Sequence, residues 1–562
     1  MAGRPGADRH VLLGFACAAV LLAAADTYVV VLALTDMMAG VGLGIQALQK
    51  ATPIVSGFLL GYVAVLPLVG RLADLLDRRR VLLGCLVIFV IGSVVTALAV
   101  DLGVLVAGRV LQGIGGGGLV PATLALVADR WPPERRGTPL GVVGAVQELG
   151  SVVGPLLGAL VLAVADWRAI FWLAATIALV LYAAIRGTAR SPSRPASPGP
   201  TSPAPASQAP ARPRSHPLVL ALTLVAAALL LLSLTAPERL VTDLTLGLAF
   251  VPLWGPERFA TPIGLAALAL TGGLAAYRMW RERDLLLRAD LPGALLLGTA
   301  LGAVILTFAT SEPEREVVGP LGLALLPVAV VAATAAVWHV RRTRHPIVPR
   351  GVLAGPTLVA CLVSLGVGAA LVAVVVDVPL FARLTHTDSQ TEAAFVLLRF
   401  LTALPVGALL GGWLLRYAAP ASLTVAGLGL AAVGLFAMSR WTAGALVGTG
   451  SSALLALVGL ALGVTIAPLN AAALARVGAS AHGVASSLVV VARTMGMVLG
   501  LALLTALGLH RYYLEVAALP DPTDPRALLA TAVVQVQIVF LGASLAAALA
   551  AVGALALPRS RG

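Results

Sequence analysis

Long apolar segments alternate with short polar connections along almost the whole chain. A membrane-spanning helix needs about 20 mostly apolar residues. The first part of the sequence contains six such segments, at 11–35, 51–69, 81–100, 103–128, 138–164 and 168–186. Six more end the chain, at 352–376, 391–415, 420–438, 450–475, 483–508 and 528–557. The pattern predicts an all-α, polytopic membrane protein with two six-helix bundles.

A region of different composition separates the two blocks. Residues 187–216 are mostly Pro, Ser, Ala and Arg, which cannot bury a core, so we expect a disordered linker there. Four further apolar segments follow, at 217–235, 260–279, 291–310 and 319–339. The first two of these segments have the weakest apolar pattern. We therefore predict two to four inserted helices and a total of fourteen or sixteen. The predicted units are 1–186, the linker, 217–350 and 351–562.

Composition and charge place the chain in a bilayer. It is 59% hydrophobic and 11% charged, with a net charge of +13. The arginines cluster in short connections, so orientation in a membrane explains them better than nucleic-acid binding. These connections, at 71–80, 130–136, 186–214, 278–288 and 341–350, all fall on one predicted side. The positive-inside rule makes that side, and both termini, cytoplasmic.

Motifs for other chemistries are missing from the sequence. Cys17, Cys85 and Cys361 stand apart within apolar segments and have no metal-ligand spacing. Lys50 is the only lysine and no G-x-x-x-x-G-K-[ST] pattern occurs, so ATP-driven transport is not expected. We therefore predict no enzymatic activity, no cofactor and no metal site.

Four charged residues fall inside predicted membrane helices: Asp26, Arg109, Glu148 and Arg493. A carboxylate at membrane depth is costly unless it is paired, solvated or protonated. Asp26 and Glu148 are therefore candidate proton carriers, and Arg109 and Arg493 are candidate counter-charges. Arg493 is a plausible partner for either carboxylate. The alternatives are structural ion pairs, a permanently protonated Glu148 and a snorkelling Arg109.

Three further residues are weaker candidates. Asp377 is predicted near the outer end of its helix, where an interfacial position is favoured over a buried one. Arg399 either lines a central cavity or snorkels. His482 is expected at the cytoplasmic mouth, where a solvated loop histidine is favoured over a proton relay.

The connection between the second and third helices reads Gly70-Arg71-Leu72-Ala73-Asp74-Leu75-Leu76-Asp77-Arg78-Arg79-Arg80. Gly70 lets two helix ends approach closely. Asp74 is predicted to lie at the positive N-terminus of the following helix and to pair with an arginine such as Arg78 or Arg79. The loop resembles the G-x-L-A-D-x-x-G-R-R/K loop of major facilitator transporters, with Asp77 in place of a glycine.

Two other stretches extend this resemblance. The run that begins at Arg109 resembles the R-x-x-Q-G-x-G motif of the fourth helix. The fifth helix resembles the antiporter motif G-x-x-x-G-P-x-x-G, and its Gly150, Gly154 and Gly158 share one face for close packing, while Pro155 favours a bend. The first helix resembles the first-helix motif of the drug:proton antiporter family with fourteen helices, which Asp26, Ala33 and Leu34 match.

Several stretches resemble one branch of that superfamily, the mycobacterial exporters encoded with a periplasmic lipoprotein. The stretches are 26–31, 147–155, 376–381, 482–486 and 489–493. The resemblance implies an association with triacylglyceride export and drug tolerance. It also implies a lipoprotein partner outside the cytoplasm, which the predicted outer connection between His510 and Leu528 could contact.

These patterns lead to one expected function and two alternatives. We expect proton-coupled export of a hydrophobic substrate, lipid-like rather than drug-like, by alternating access across the cytoplasmic membrane. Asp26 and Glu148 would take up protons and the loop at 70–80 would latch the bundles. The alternatives are a multidrug:proton antiporter and a non-transporting scaffold or receptor.

Overall fold

The computed structural model describes residues 5–43, 48–188, 217–236, 238–242, 247–253, 258–309, 322–387, 389–521 and 524–559. Six long helices come first: α1 Pro5–Gly40, α2 Leu48–Leu75, α3 Arg78–Ala97, α4 Leu102–Arg130, α5 Gly137–Leu162 and α6 Trp167–Gly187. The central elements are α7 Pro217–Thr235, α8 Glu238–Val241, α9 Pro262–Arg281, α10 Arg283–Arg288, α11 Leu291–Ala309 and α12 Gly322–Arg342. The last six are α13 Pro356–Thr385, α14 Gln390–Leu414, α15 Pro420–Met438, α16 Thr449–Leu474, α17 His482–Ala517 and α18 Pro525–Ala554.

The helices confirm the predicted all-α, polytopic architecture. Fifteen of them are long and apolar enough to cross a membrane, and α7 adds a shorter apolar stretch, Ala221–Thr235. The part of the chain that the structure describes contains no β-strand. Each of the sixteen predicted segments overlaps one long helix. The predicted linker lies outside the described residues from 189 to 216, and the domain boundaries stay a prediction.

Several helices are longer than their apolar segments. The segment predicted at 352–376 continues as α13 to Thr385, and the segment at 483–508 continues as α17 to Ala517. Much of the outer connection predicted between His510 and Leu528 is therefore helical. The hydropathy pattern ends a helix where polar residues begin, although backbone hydrogen bonding continues through them.

Aspartates fix the starts of three helices in the first bundle. Asp77, Asp101 and Asp166 are the N-cap residues of α3, α4 and α6, and each side chain accepts a hydrogen bond from a backbone N–H of the first turn. Such caps satisfy donors that a helix leaves unpaired at its start. These caps fix the residue at which each connecting segment ends and the next membrane helix begins.

The bundles formed by α1–α6 and α13–α18 meet mainly through α2 with α17 and α5 with α14, and α4 with α17 and α5 with α16 add further contacts. A Cβ on Gly70 would lie 2.6 Å from the Gly483 carbonyl oxygen. A Cβ on Gly412 would lie 2.6 Å from the Gly137 carbonyl oxygen. Both close approaches join helix ends on the side of the molecule that carries the loop at 71–80, which we call the arginine-rich side.

The central helices attach to the first bundle at two places. α11 and α12 pack together, and α11 also packs against α2, where a Cβ on Gly302 would lie 2.5 Å from Leu60 Cδ1. α7 packs against α9. The backbone N–H of Arg258, just before α9, donates to Asp101 Oδ2 at 2.9 Å. The inserted elements are therefore attached to the first bundle at two places, and α11 also contacts α17 of the last bundle.

Candidate functional site

Asp26 and Arg109 form a buried ion pair inside the first bundle. Arg109 Nη1 on α4 lies 2.7 Å from Asp26 Oδ2 on α1, and the two side chains are 1% and 2% exposed. Both charges are almost fully buried in this arrangement. Gain or loss of a proton by the Asp26 carboxylate would therefore have a large effect on the free energy of this buried pair.

Gln112 and Ser93 complete this polar cluster, and the sequence analysis assigned them no role. Gln112 Oε1 accepts from Arg109 Nη1 at 2.8 Å, and Gln112 Nε2 donates to Ser93 Oγ at 2.9 Å. The same amide nitrogen lies 3.3 Å from Asp26 Oδ1. Gln112 follows Arg109 by three residues on one helix, so its helical spacing was a usable signal.

Two aromatic rings flank the Arg109 guanidinium. Its carbon lies 4.5 Å from the ring centroid of Phe58 and 5.7 Å from that of Phe171. Cation–π contacts of this kind hold a cation where water is excluded. Arg109 is thus a buried, partnered arginine, and the snorkelling alternative does not describe it.

Glu148 and Arg493 form a second ion pair, which joins the two bundles. Arg493 Nη1 on α17 lies 2.6 Å from Glu148 Oε1 on α5, with side-chain exposures of 14% and 8%. Of the two carboxylates considered for Arg493, the structure pairs it with Glu148 and leaves Asp26 to Arg109.

A small cavity lies beside the second pair, between the bundles. It has a volume of ≈ 20 Å³, and its lining is mostly aliphatic apart from Gln147, Ser364, Asn470 and Arg493. A cavity of this size holds about one water molecule. Arg493 therefore borders a space between the bundles that has room for little more than one water molecule.

The packing of α5 on α1 connects the two ion pairs. A Cβ on Gly150 would lie 2.3 Å from Ala24 Cβ, and one on Gly154 would lie 2.4 Å from the Ala25 carbonyl oxygen. Gly158 is buried on the same helix, and Pro155 lies within it. The absence of side chains at Gly150 and Gly154 lets α5, which carries Glu148, contact the turn of α1 that carries Asp26.

Asp74 connects the two bundles at the arginine-rich side. Its Oδ1 accepts from the Gly483 N–H at 2.7 Å and its Oδ2 from the Val484 N–H at 3.1 Å. The expectation that Asp74 caps the following helix is wrong, because Asp77 is the N-cap of α3 and Asp74 instead lies at the N-terminus of α17. The expected arginine partner is Arg78, whose Nη2 lies 3.3 Å from Asp74 Oδ1.

Arg78 and Arg79 extend this contact to neighbouring helix ends. Arg78 Nε donates to Asp129 Oδ2 on α4 at 3.0 Å, and Arg78 Nη2 donates to the Ala479 carbonyl oxygen at 3.4 Å. Arg79 Nε donates to the Ile185 carbonyl oxygen at 2.9 Å. Asp129, which the sequence analysis did not single out, is thus part of the latch formed by Asp74, Arg78, Asp129 and the start of α17.

His482 is buried, and the expectation of a solvated loop histidine is wrong. It is 5% exposed, its Nδ1 lies 3.6 Å from Asp129 Oδ1, and its Nε2 contacts the Val477 carbonyl oxygen at 3.2 Å. His482 is the first residue of α17, so the latch around Asp74 covers it. The tight packing at this helix start could not be read from the local sequence.

Asp377 and Arg399 lie outside both ion pairs. Asp377 is only 2% exposed within α13, so the expected interfacial position is wrong. The error follows from ending that helix at 376. Arg399 is exposed and donates from Nη1 to Ser452 Oγ at 2.7 Å. Within the described ranges, no group of three or more His, Cys, Asp or Glu residues is arranged to hold a metal ion.

Comparisons with known proteins agree with this architecture. The sequence model of the family described as Major Facilitator Superfamily matches residues 16–287 of this chain. A triacylglyceride transporter of Mycolicibacterium hassiacum is 37% identical over 534 residues, covering 92% of this chain and 83% of the relative. The triacylglyceride transporter of Mycobacterium tuberculosis strain H37Rv is 35% identical over 539 residues, covering 93% and 87%.

Solved structures share the fold at low sequence identity. The proton:xylose symporter XylE aligns with a TM-score of 0.55 at 13% identity, covering 98% of this chain and 95% of that one. The human organic anion transporter MFSD10 aligns with a TM-score of 0.53 at 15% identity, covering 97% and 100%. At such identities the likeness concerns the fold alone.

Proposed function

The chain belongs to the major facilitator superfamily of membrane transporters, and on that basis we propose that it exports a triacylglyceride-like lipid in exchange for protons. The lipid substrate is supported by the names of relatives that match most of the chain.

The Glu148–Arg493 pair carries the proposal of proton coupling. The pair joins α5 of one bundle to α17 of the other across 2.6 Å. Protonation of Glu148 would remove the charge that holds Arg493, so the attraction between the bundles would depend on proton uptake. Asp26, with Arg109 as its counter-charge, is the second proposed proton site.

The arrangement of the bundles supports a proposed conformational cycle. We assign the arginine-rich side and both termini to the cytoplasm by the positive-inside rule. Contacts between the bundles at Gly70 and Gly483, and at Gly137 and Gly412, then close the cytoplasmic side. In the proposed cycle, the latch of Asp74, Arg78 and Asp129 is the gate that opens this side in the alternate state.

A partner outside the cytoplasm fits this orientation. The segment from His510 to Ala517 continues α17 beyond the apolar segment, on the side opposite the latch. We propose that a lipid-accepting lipoprotein contacts this end. Loss of this contact would reduce the transfer of lipid to the lipoprotein without changing how the transporter binds protons.

The test is transport in proteoliposomes with an imposed pH gradient. We expect gradient-driven transfer of a fluorescent triacylglyceride by the wild type, and a loss of at least tenfold in Glu148→Gln and in Asp26→Asn. Glu134→Gln removes an exposed carboxylate in the loop between α4 and α5 and is the matched control, with transport unchanged.

Other outcomes would replace the proposal. Movement of a cationic dye without triacylglyceride transfer would make the protein a multidrug:proton antiporter. Absence of gradient-driven movement of either compound by correctly folded protein would favour a scaffold or receptor. Equal lipid transfer by the wild type and Glu148→Gln would remove Glu148 from the coupling mechanism.

A further inference from the structure

A basic cleft lies beside the latch on the arginine-rich side, and neither the ion pairs nor the latch accounts for it. Its volume is ≈ 380 Å³, and its wall includes Arg71, Arg344, His345 and Arg350. Arg71 belongs to α2 of the first bundle, whereas Arg344 and Arg350 belong to the segment that leads from α12 into the last bundle. Three permanent positive charges therefore converge on one space from two parts of the molecule.

Among the described residues of the wall there is one carboxylate, that of Asp74, and a single negative charge cannot balance three arginines. Asp74 lines the cleft, but its two oxygens accept from the backbone of Gly483 and Val484, and it also pairs with Arg78. Arg71 Nε is buried and has no hydrogen-bond partner among the described residues. A buried, unpaired guanidinium donor is costly, and an anion in the cleft would satisfy it.

The segment that supplies Arg344 and Arg350 is held in place. Asp290 Oδ2 accepts from the Ile347 N–H at 2.7 Å, and Asp290 Oδ1 lies 2.6 Å from His339 Nε2. Arg350 Nη2 donates to the carbonyl oxygens of Arg341 at 2.8 Å and Thr343 at 3.3 Å. The cleft is thus shaped before a ligand enters, which lowers the entropy cost of binding.

We propose that this cleft binds a phosphate group, supplied by the headgroup of an anionic phospholipid or by a soluble phosphate. Arginine presents a planar fork of donors that matches phosphate oxygens. Basic pockets between membrane helices on the cytoplasmic side bind such headgroups in other proteins. The bound phosphate would bridge Arg71 of α2 to the segment entering the last bundle, next to the Asp74 contact, and so stabilise the closed arginine-rich side.

The test measures binding and needs no transport, so its result is independent of the proposed function. The full chain in detergent micelles is titrated with phosphatidylglycerol, with phosphatidylcholine and with inorganic phosphate at matched ionic strength. The unfolding midpoint and lipid retention in native mass spectrometry are recorded. We expect phosphatidylglycerol or inorganic phosphate, but not phosphatidylcholine, to raise the midpoint of the wild type.

Paired variants separate the cleft from general surface charge. The double variant Arg71→Gln/Arg344→Gln should weaken this binding at least tenfold. Arg130→Gln/Arg288→Gln removes two exposed arginines elsewhere and should leave it unchanged. If the first pair does not fold, Arg344→Gln alone, at an exposed position, should still weaken binding.

Each result has a defined meaning. An effect of phosphatidylglycerol alone identifies a lipid headgroup, and an effect of inorganic phosphate, with or without the lipid, identifies an anion site open to water. Equal binding by the wild type and the cleft variants would overturn the proposal. So would an equal effect of phosphatidylcholine, or no effect of either anion.

Discussion

At the scale of single residues, the charges buried in the membrane region are all tied to specific partners except Asp377. Asp26 has Arg109 and Gln112, and Glu148 has Arg493. For Asp377, no ion pair or hydrogen bond is found within the described ranges. Because a buried charge without a partner is far more costly than a paired one, the stability of the fold should depend on keeping both members of each pair.

The Asp26–Arg109 pair gives the first prediction. Arg109→Met should lower the free energy of unfolding by about 3–5 kcal/mol, because it leaves the Asp26 carboxylate buried without its counter-charge. The double variant Asp26→Leu/Arg109→Met should recover most of this loss while remaining inactive in transport. Thermal unfolding in detergent measures both. An equal loss in the single and double variants would mean that packing, and not the charge, sets the cost.

A second prediction concerns Asp377, which is buried in α13. Asp377→Asn should raise the unfolding midpoint, because a neutral amide avoids the cost of burying a charge. Thermal unfolding of the wild type and the variant in detergent measures this. A lower midpoint in Asp377→Asn would reveal a partner that requires the carboxyl group.

At the scale of helices, the closest contacts occur where a glycine of one helix faces the backbone of another helix. Gly70 and Gly483 bring the end of α2 against the start of α17, and a Cβ on Gly483 would lie 2.3 Å from the Gly70 carbonyl oxygen. Such contacts cannot be relieved by moving a side chain. The α2–α17 contact should therefore be sensitive to one added methyl group.

Gly70→Ala should weaken the α2–α17 contact and shift the protein toward the state with the arginine-rich side open. Spin labels at exposed Arg80 and Arg476, one on each bundle, should report a longer mean distance by electron paramagnetic resonance. Gly84→Ala is the matched control, because a Cβ there meets no heavy atom within 4 Å. An unchanged distance in Gly70→Ala would mean that the bundles are held by other contacts.

At the scale of the whole molecule, the two bundles meet at two similar contacts, in each of which the end of one helix packs against the start of another. The end of α2 contacts the start of α17, and the end of α14 contacts the start of α5. Gly411-Gly412-Trp413-Leu414-Leu415-Arg416 thus occupies in the second block the position of the loop at 70–80 in the first. Arg416 Nη2 donates to Thr138 Oγ1 at 3.0 Å across this second contact.

Joining the bundles across the second contact should stop transport. A cleavable thiol cross-linker between Thr138→Cys and Arg416→Cys, in a variant without the three buried native cysteines, should reduce lipid transfer at least tenfold. Reduction of the cross-link should restore it, because the proposed alternating access requires this side to open. Each single-cysteine variant treated with the reagent is the control. Full transport by the cross-linked protein would exclude an opening at this contact.

The sequence by itself determined the membrane fold and the candidate charges. Apolar length is a local property, so all sixteen segments fell on helices, and the cost of a charge at membrane depth singled out Asp26, Arg109, Glu148 and Arg493. Helix ends were less accurate, since α13 and α17 continue past their apolar segments. That inaccuracy placed Asp377 at an interface and not in the interior.

Only the tertiary structure decided which of these groups meet. Arg493 pairs with Glu148 across 345 residues of sequence and Asp74 binds α17 across 409, and no local pattern distinguishes these partners from others. The burial of His482 and the place of Gln112 beside Asp26 likewise depend on how several helices pack together. Local hydropathy fixes what enters the membrane, whereas pairing depends on distances that exist only after the bundles have assembled.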